Sequence, residues 1–273
     1  MTMPSTAALL RRHVHGLEHL TDTSPVGRVV RAGSLAFTDS GTDLAPFNSI
    51  TVTGAAWSVR DLERAAELAV EVGRPWSITV QQGGSVPGDA ARLRAVQRVA
   101  AAHGLTERDA DPFLACRPGD FRATGAVGTG DAEGEPSVAT VSAAARVEYT
   151  ATLAAGFDVA ATAFGDVFGG SLLDDPLVTG YLVRAGRHAI GTGLGIRTDD
   201  VVGVHNIAVV PGARRRGAGR AVSERVVLDG FARGAAAASL VSSDDGLPVY
   251  RSLGFRQVDT LVRWSAPDGP ADR

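Results

Sequence analysis

The chain has 273 residues, enough for one large domain or two small ones, and at 44% hydrophobic and 21% charged it has the composition of an ordinary water-soluble globular protein. A net charge of −3, with no basic run longer than Arg214–Arg216, excludes a general pull toward nucleic acid. The one cysteine, Cys116, excludes an intrachain disulfide, no apolar run reaches membrane length, and the opening M-T-M-P-S-T-A-A-L-L-R-R-H lacks a secretory pattern, so the cytoplasm is the expected compartment. No lysine is present, which removes Schiff-base chemistry anchored on this chain.

In chain order, residues 5–20 read as an amphipathic helix with Leu10, Val14 and Leu17 on one face. The pattern His15-Gly16-Leu17-Glu18-His19 matches H-x-x-E-H. It holds a helix-weakening glycine and has no companion glutamate, so a solvated helix is expected and no metal. Strands follow at about 27–38 and 48–53. Ser58 with Asp61 is a capping-box signal for a helix over 59–72, with Leu62, Ala65, Ala66 and Ala69 on its apolar face. A strand over 75–80, a helix over 89–102 and a strand through Phe113-Leu114-Ala115 complete a first half, residues 1–123. The stretch 124–136 has no apolar periodicity and reads as a linker.

A second set of elements occupies 137–265: a strand at 138–144, helices at 147–155 and 159–168, and a hairpin of 178–184 with 189–197 across Ala185-Gly186. Gly191, Gly193 and Gly195 fall inside that second hairpin strand, where a bulge or a close backbone approach explains them. Further strands are expected at 201–210 and 236–241, with a short helix at 247–253, a last strand at 255–264 and a tail at 266–273. Both halves repeat one order of elements, closing on a His103-Gly104-Leu105 or Leu253-Gly254-Phe255 step before the last strand.

The chemistry concentrates in Val201–Ser223. A β-branched strand ends at Pro211-Gly212, and a helix starts near Gly217 with Ala218, Ala221, Val222 and Val226 on one face. Arg214, Arg215, Arg216, Gly217 and Gly219 lie between. Helix-start N–H groups, glycines that let an anion approach and arginines that add charge together make a cradle suited to a pyrophosphate. A Walker loop would need a lysine, and a dinucleotide fingerprint would need a small residue at Val222. The R-x-x-G-x-G spacing of Arg214, Gly217 and Gly219 after Ile207-Ala208-Val209-Val210-Pro211 resembles motif A of the GNAT superfamily of CoA-dependent N-acyltransferases. Pro248-Val249-Tyr250-Arg251-Ser252-Leu253-Gly254-Phe255 resembles its motif B.

This resemblance implies an α/β (α+β) fold of two GNAT-like mixed-sheet domains in tandem. The first has lost its phosphate cradle, since Gly54-Ala55-Ala56-Trp57 stands where the second has its arginines and glycines. It implies acetyl-CoA or another acyl-CoA as co-substrate, and direct transfer of the acyl group to the amine of a small molecule or peptide. Main chain at Ile207, Ala208 and Val209 would hold the pantetheine arm, and Arg214, Arg215, Arg216, Gly217, Ala218, Gly219 and Arg220 the pyrophosphate. Ser243 stands where the family often keeps an asparagine on the arm. Tyr250 would be the general acid toward the leaving thiolate. His205, on an alternating strand, shares a face with Ile207 and Val209 and is the side chain suited to act as base, with a water chain as the alternative. Asp244 and Asp245 could meet an amine or cap the following helix. A carrier-protein donor, a homodimer and a non-catalytic acyl-CoA sensor stay open as alternatives, with neither membrane nor nucleic acid among the expected partners.

Overall fold

A computed structural model describes residues 2–54, 56–83, 89–124 and 136–267; most of the expected linker at 124–136 and of the expected tail at 266–273 lies outside them. The first helix, α1 (Thr6–Thr23), starts on the Ser5 hydroxyl, which accepts the Ala8 N–H at 3.3 Å. Where the sequence predicts one strand over 27–38, the chain folds as a hairpin, β1 (Arg28–Ala32) and β2 (Leu35–Asp39), because Gly33 at φ +59° turns it back. Next come β3 (Ser49–Val52), α2 (Val59–Val72), β4 (Ser77–Gln81), α3 (Asp89–Ala102) and β5 (Glu107–Cys116). The second half holds β6 (Ser137–Val141), α4 (Arg146–Phe157), β7 (Val178–Ala185), β8 (His188–Thr198), β9 (Val201–Val209), α5 (Ala218–Ala232), β10 (Ala237–Val241), α6 (Leu247–Ser252) and β11 (Arg256–Ser265).

Residues 161–168, expected within a helix, form a series of turns instead. Asp158 in the left-handed region ends α4, and the Arg146 guanidinium draws the Gly165 carbonyl out of any helical ladder (2.8 Å). Phe164 and Phe168 still fall on one side of this segment, and both are fully buried.

The strands form one eleven-stranded mixed sheet in the order β1-β2-β3-β4-β11-β5-β10-β9-β8-β7-β6. The halves repeat a topology: β1, β2 and β3 are antiparallel and β3 runs parallel to β4, just as β7, β8 and β9 are antiparallel and β9 runs parallel to β10. The closing strands are exchanged. β11 pairs with β4 of the first half, β5 pairs with β10 of the second, and β5 and β11 lie antiparallel to each other in the middle.

Leu62, Ala65, Ala66 and Ala69 of α2, all shielded from water, pack on Phe37, Ile50 and Ile78; Val222 and Val226 of α5 pack on Val202, Val204 and Leu240. Burying such aliphatic side chains is worth about 1.5–3 kcal/mol apiece, which is what holds each helix on its sheet. The glycines of β8 serve this contact: a Cβ on Gly193 would come within 2.6 Å of Val222 and one on Gly195 within 3.2 Å of Val226. Helix α1 crosses both halves. Arg31 of β1 grips Glu18 with two bonds of 2.7 and 2.8 Å, while Arg12 reaches Asp200 at 2.7 Å and His19 reaches Asp175 at 3.0 Å in the second half.

Candidate active site

After β9 the chain makes a one-turn 3-10 helix at Pro211–Ala213, then reaches α5 through Arg215 and Gly217, both left-handed at φ +64° and +85°. Gly217 is the N-cap of α5 and has no side chain to cap with; the first helical bond is Ala221 N–H to Gly217 C=O at 2.9 Å. None of the N–H groups from Arg215 to Arg220 finds a partner among the described residues. Alternation of left- and right-handed residues ahead of a helix start turns such N–H groups into a concave anion site. A Cβ on Gly219 would stand 3.5 Å from Val209, an ordinary contact, so packing does not demand glycine here and the bare backbone leaves room for a ligand.

The four arginines divide their work. Arg214 bonds the carbonyls of Val209 (3.1 Å) and Gly156 (2.9 Å), so it shapes the loop and ties it to α4. Arg220 is held by Glu224 at 3.2 Å and Ser252 at 2.6 Å, linking α5 to α6. Arg215 and Arg216 are exposed, with no ion pair among the described residues, and remain available as cations beside the free N–H groups.

Strands β9 and β10 pair only through Val201, Val202 and Gly203 against Ala237, Ala238 and Ser239. Beyond that point β9 continues with β8 alone and β10 with β5 alone, so a gap opens that leads to the helix start. In the first half the equivalent strands do not part: β3 pairs with β4 along its whole length. The start of α2 is also closed, because Ser58 Oγ accepts the Asp61 N–H at 3.1 Å and the Asp61 carboxylate accepts the Ser58 N–H at 3.2 Å. A self-capped helix start carrying a carboxylate repels an anion.

Inside the gap the structure departs from simple alternation. Asn206 sits at φ +52° in a bulge of β9 against β8, where the register shifts between Thr192 and Leu194. The extra residue sends Ile207 and Val209 to the α5 side, while His205 and Ala208 face α1 and α4. His205 therefore does not share a face with Ile207 and Val209. Its ring stacks on His13 of α1 at 5.2 Å, and His13 in turn meets Phe113 edge-on at 5.4 Å. Burial, with the neighbouring His13 ring adding to it, pushes His205 down to about 3, and burial pushes His13 down to about 4. Both rings are neutral at pH 7, and a base with so low a pKa is a poor match for an ammonium proton.

Tyr250 lies on the α5 side, on α6, only 8% exposed and T-stacked on Phe255 at 5.8 Å. Burial raises its phenol above the usual range, opposed by a hydrogen bond with Ser223 of α5, so it is protonated at neutral pH. The structure thus brings the helix start, Ile207, Val209 and Tyr250 to one side of the sheet and His205 to the other. Ser243 is exposed and builds the turn before α6, its hydroxyl accepting the Gly246 N–H at 3.3 Å.

On the His205 side a cavity of about 220 Å³ runs between the halves. Its lining includes the apolar Leu17, Leu20, Phe164 and Phe168, the hydroxyls of Thr38, Ser49, Thr51 and Thr79, and the charged pair Asp111 and Arg263. His13, Asp111 and the hydroxyls were missed from sequence because they belong to the first half. The one signal was the polar run Glu107-Arg108-Asp109-Ala110-Asp111 opening what proves to be a central strand.

The site is thus a mixed sheet whose parallel pair splays beside an uncapped helix start. Residues 149–255 match the Acetyltransferase (GNAT) family model. No curated protein matches by sequence. Among solved structures, a GCN5-related N-acetyltransferase from Kribbella flavida is 22% identical with a TM-score of 0.66, over 98% of this chain and 98% of that one. A GCN5-related N-acetyltransferase-like protein from Streptococcus suis is 12% identical with a TM-score of 0.56, over 96% and 100%. A tandem GNAT protein from the clavulanic acid biosynthesis pathway is 15% identical with a TM-score of 0.53, over 98% and 97%. The fold is therefore that of tandem GNAT proteins.

Proposed function

We propose that the protein is an N-acetyltransferase that takes acetyl-CoA, or another acyl-CoA, in its second half and passes the acyl group directly to an amine held between the halves. The observation that carries this reading is the asymmetry of the two repeats: only the second has both a splayed strand pair and an open helix start. A diphosphate fits the free N–H groups from Arg215 to Arg220, with Arg215 and Arg216 as counter-charges and room beside Gly219. The unpaired edge of β9 at Ile207–Val209 offers main-chain groups to the pantetheine arm and to the thioester oxygen. The amine nitrogen bonds to the carbonyl carbon, the C–S bond breaks, and Tyr250, protonated and on the same side, supplies the proton to the departing thiolate. The acceptor enters from the opposite side, through the cavity.

The test is acetyl-CoA binding by calorimetry together with CoA release followed by a thiol reagent across a panel of amines. One acetyl-CoA per chain is expected, and Gly219→Leu should lower affinity at least tenfold, about 1.4 kcal/mol, without shifting the thermal midpoint. Undiminished affinity in that variant would falsify the placement of the diphosphate. Binding without amine-dependent release would make the protein an acyl-CoA sensor, and release only from an acyl-loaded carrier protein would change the donor.

A further inference from the structure

The one carboxylate in the cavity lining has no part in the transfer step described above. Asp111 lies on β5, a strand of the first half that has been drawn in beside β10 of the second. It stands two residues before Phe113 and so shares that residue's face, the face of the His13–His205 stack. Ser242, which follows β10, donates its N–H to the Pro112 carbonyl at 3.0 Å, so Asp111 lies beside the end of β10, one strand away from β9. Val241, Leu261 and Asn206 line the cavity with it. We propose that Asp111 is the residue that receives the acceptor's ammonium and takes its proton, so that the substrate is a cationic primary amine carrying an apolar body.

The surroundings support this. Charged groups facing Asp111 are Arg263 of β11, with its nearer nitrogen at 3.5 Å, Asp109 on its own strand and Asp244 in the turn after β10. Arg263 is shared, since it also bonds Asp109 at 2.8 Å, which leaves the three acids with one cation between them. In the same lining His13 and His205 are uncharged at neutral pH, and His13, only 7% exposed, has a ring nitrogen, Nδ1, without a partner among the described residues. Burial raises the Asp111 carboxyl above the usual carboxylate range; Arg263 opposes that, and Asp109 and Asp244 add to it. A carboxylate with raised proton affinity is the better base. Leu17, Leu20, Phe164 and Phe168 of the same lining suit an alkyl or aryl group.

The step balances. One ammonium proton passes to the Asp111 carboxylate, and the neutral nitrogen bonds to the thioester carbon. The C–S bond breaks, and the thiolate leaves with the Tyr250 proton. The excess proton on the new amide nitrogen replaces the one Tyr250 gave up, through water, and Asp111 returns its own to solvent.

This rests on the acetyltransferase reading, so the experiment separates the two. Wild type and Asp111→Asn are compared with acetyl-CoA and either phenethylamine, a cation at pH 7, or aniline, already neutral there. The expected result is turnover of phenethylamine by the wild type and a loss of about 100-fold in kcat/KM in the variant. That loss should shrink as pH rises, while aniline turnover changes less than about tenfold and acetyl-CoA affinity and the thermal midpoint stay unchanged. Equal losses on both amines, or none on phenethylamine, overturn the role of Asp111. A wild type that binds acetyl-CoA but acetylates only non-cationic amines overturns the substrate class. A wild type that binds no acetyl-CoA overturns the parent reading, and this one with it.

Discussion

His13 shows how far one residue couples the fold to pH. Its folded pKa of about 4 lies below the ordinary value of 6.5, so its neutral form is the one the structure accommodates. The stability this confers is complete above pH 6.5 and is lost as pH falls from there toward 4. At pH 5 the unfolded chain has gained a proton that the folded chain refuses, a loss of about 2 kcal/mol. Because His205, at about 3, adds a similar loss, denaturant unfolding should show a drop of about 4 kcal/mol between pH 7 and pH 5, and His13→Phe should roughly halve it. His205 acts in the same direction with its value of about 3, so some slope must survive the single substitution. A variant as pH-sensitive as the wild type would mean that the ring is hydrated after all.

Among the elements, those governed by local chemistry were legible in the sequence. Ser58 and Asp61 specify the start of α2 through two reciprocal bonds three residues apart, and that helix spans 59–72 as expected. Ser58→Ala should cost about 1 kcal/mol of stability and leave acetyl-CoA affinity unchanged, since the Asp61 carboxylate at this start repels a phosphate. A fall in affinity would place a ligand in the first half. The bulge in β9 was not legible. It depends on Asn206 in a left-handed conformation, with no glycine to announce it, and it reverses the facing of Ile207 and Val209 relative to His205. The turns at 161–168 were hidden for a related reason: Phe164 and Phe168 keep helical spacing, while the carbonyl that breaks the ladder is taken by Arg146, distant in sequence.

For the whole molecule, a repeated order of elements could be read, apart from the β1–β2 hairpin taken as one strand, but not which strand lies beside which. Spacing along the chain says nothing of neighbours across a sheet, so the exchange of β5 and β11 and the entry of Asp111 into the second half's site stayed out of sight. The exchange predicts that the halves do not fold apart. Residues 137–267 alone would leave β10 with a bare edge where β5 belongs, and β11 without its longest partner. That fragment should be insoluble or lack native circular dichroism, co-expression with residues 1–124 should restore it, and the intact chain should unfold in one transition. A soluble, cooperatively melting fragment 137–267 would sink this account.

The same exchange bears on how the protein is made. β11 is the last of the eleven strands to leave the ribosome, yet its place is in the middle of the finished sheet, between β4 and β5. The early portion cannot seal itself while the later portion is still being synthesised, unlike ordinary domains that mature one after another as they emerge. A polypeptide cut short before residue 256 therefore has exposed edges on both sides of the vacancy, a form open to proteolysis. Translation must pass β11 before the middle of the sheet can close, and copies that stop short of it betray themselves.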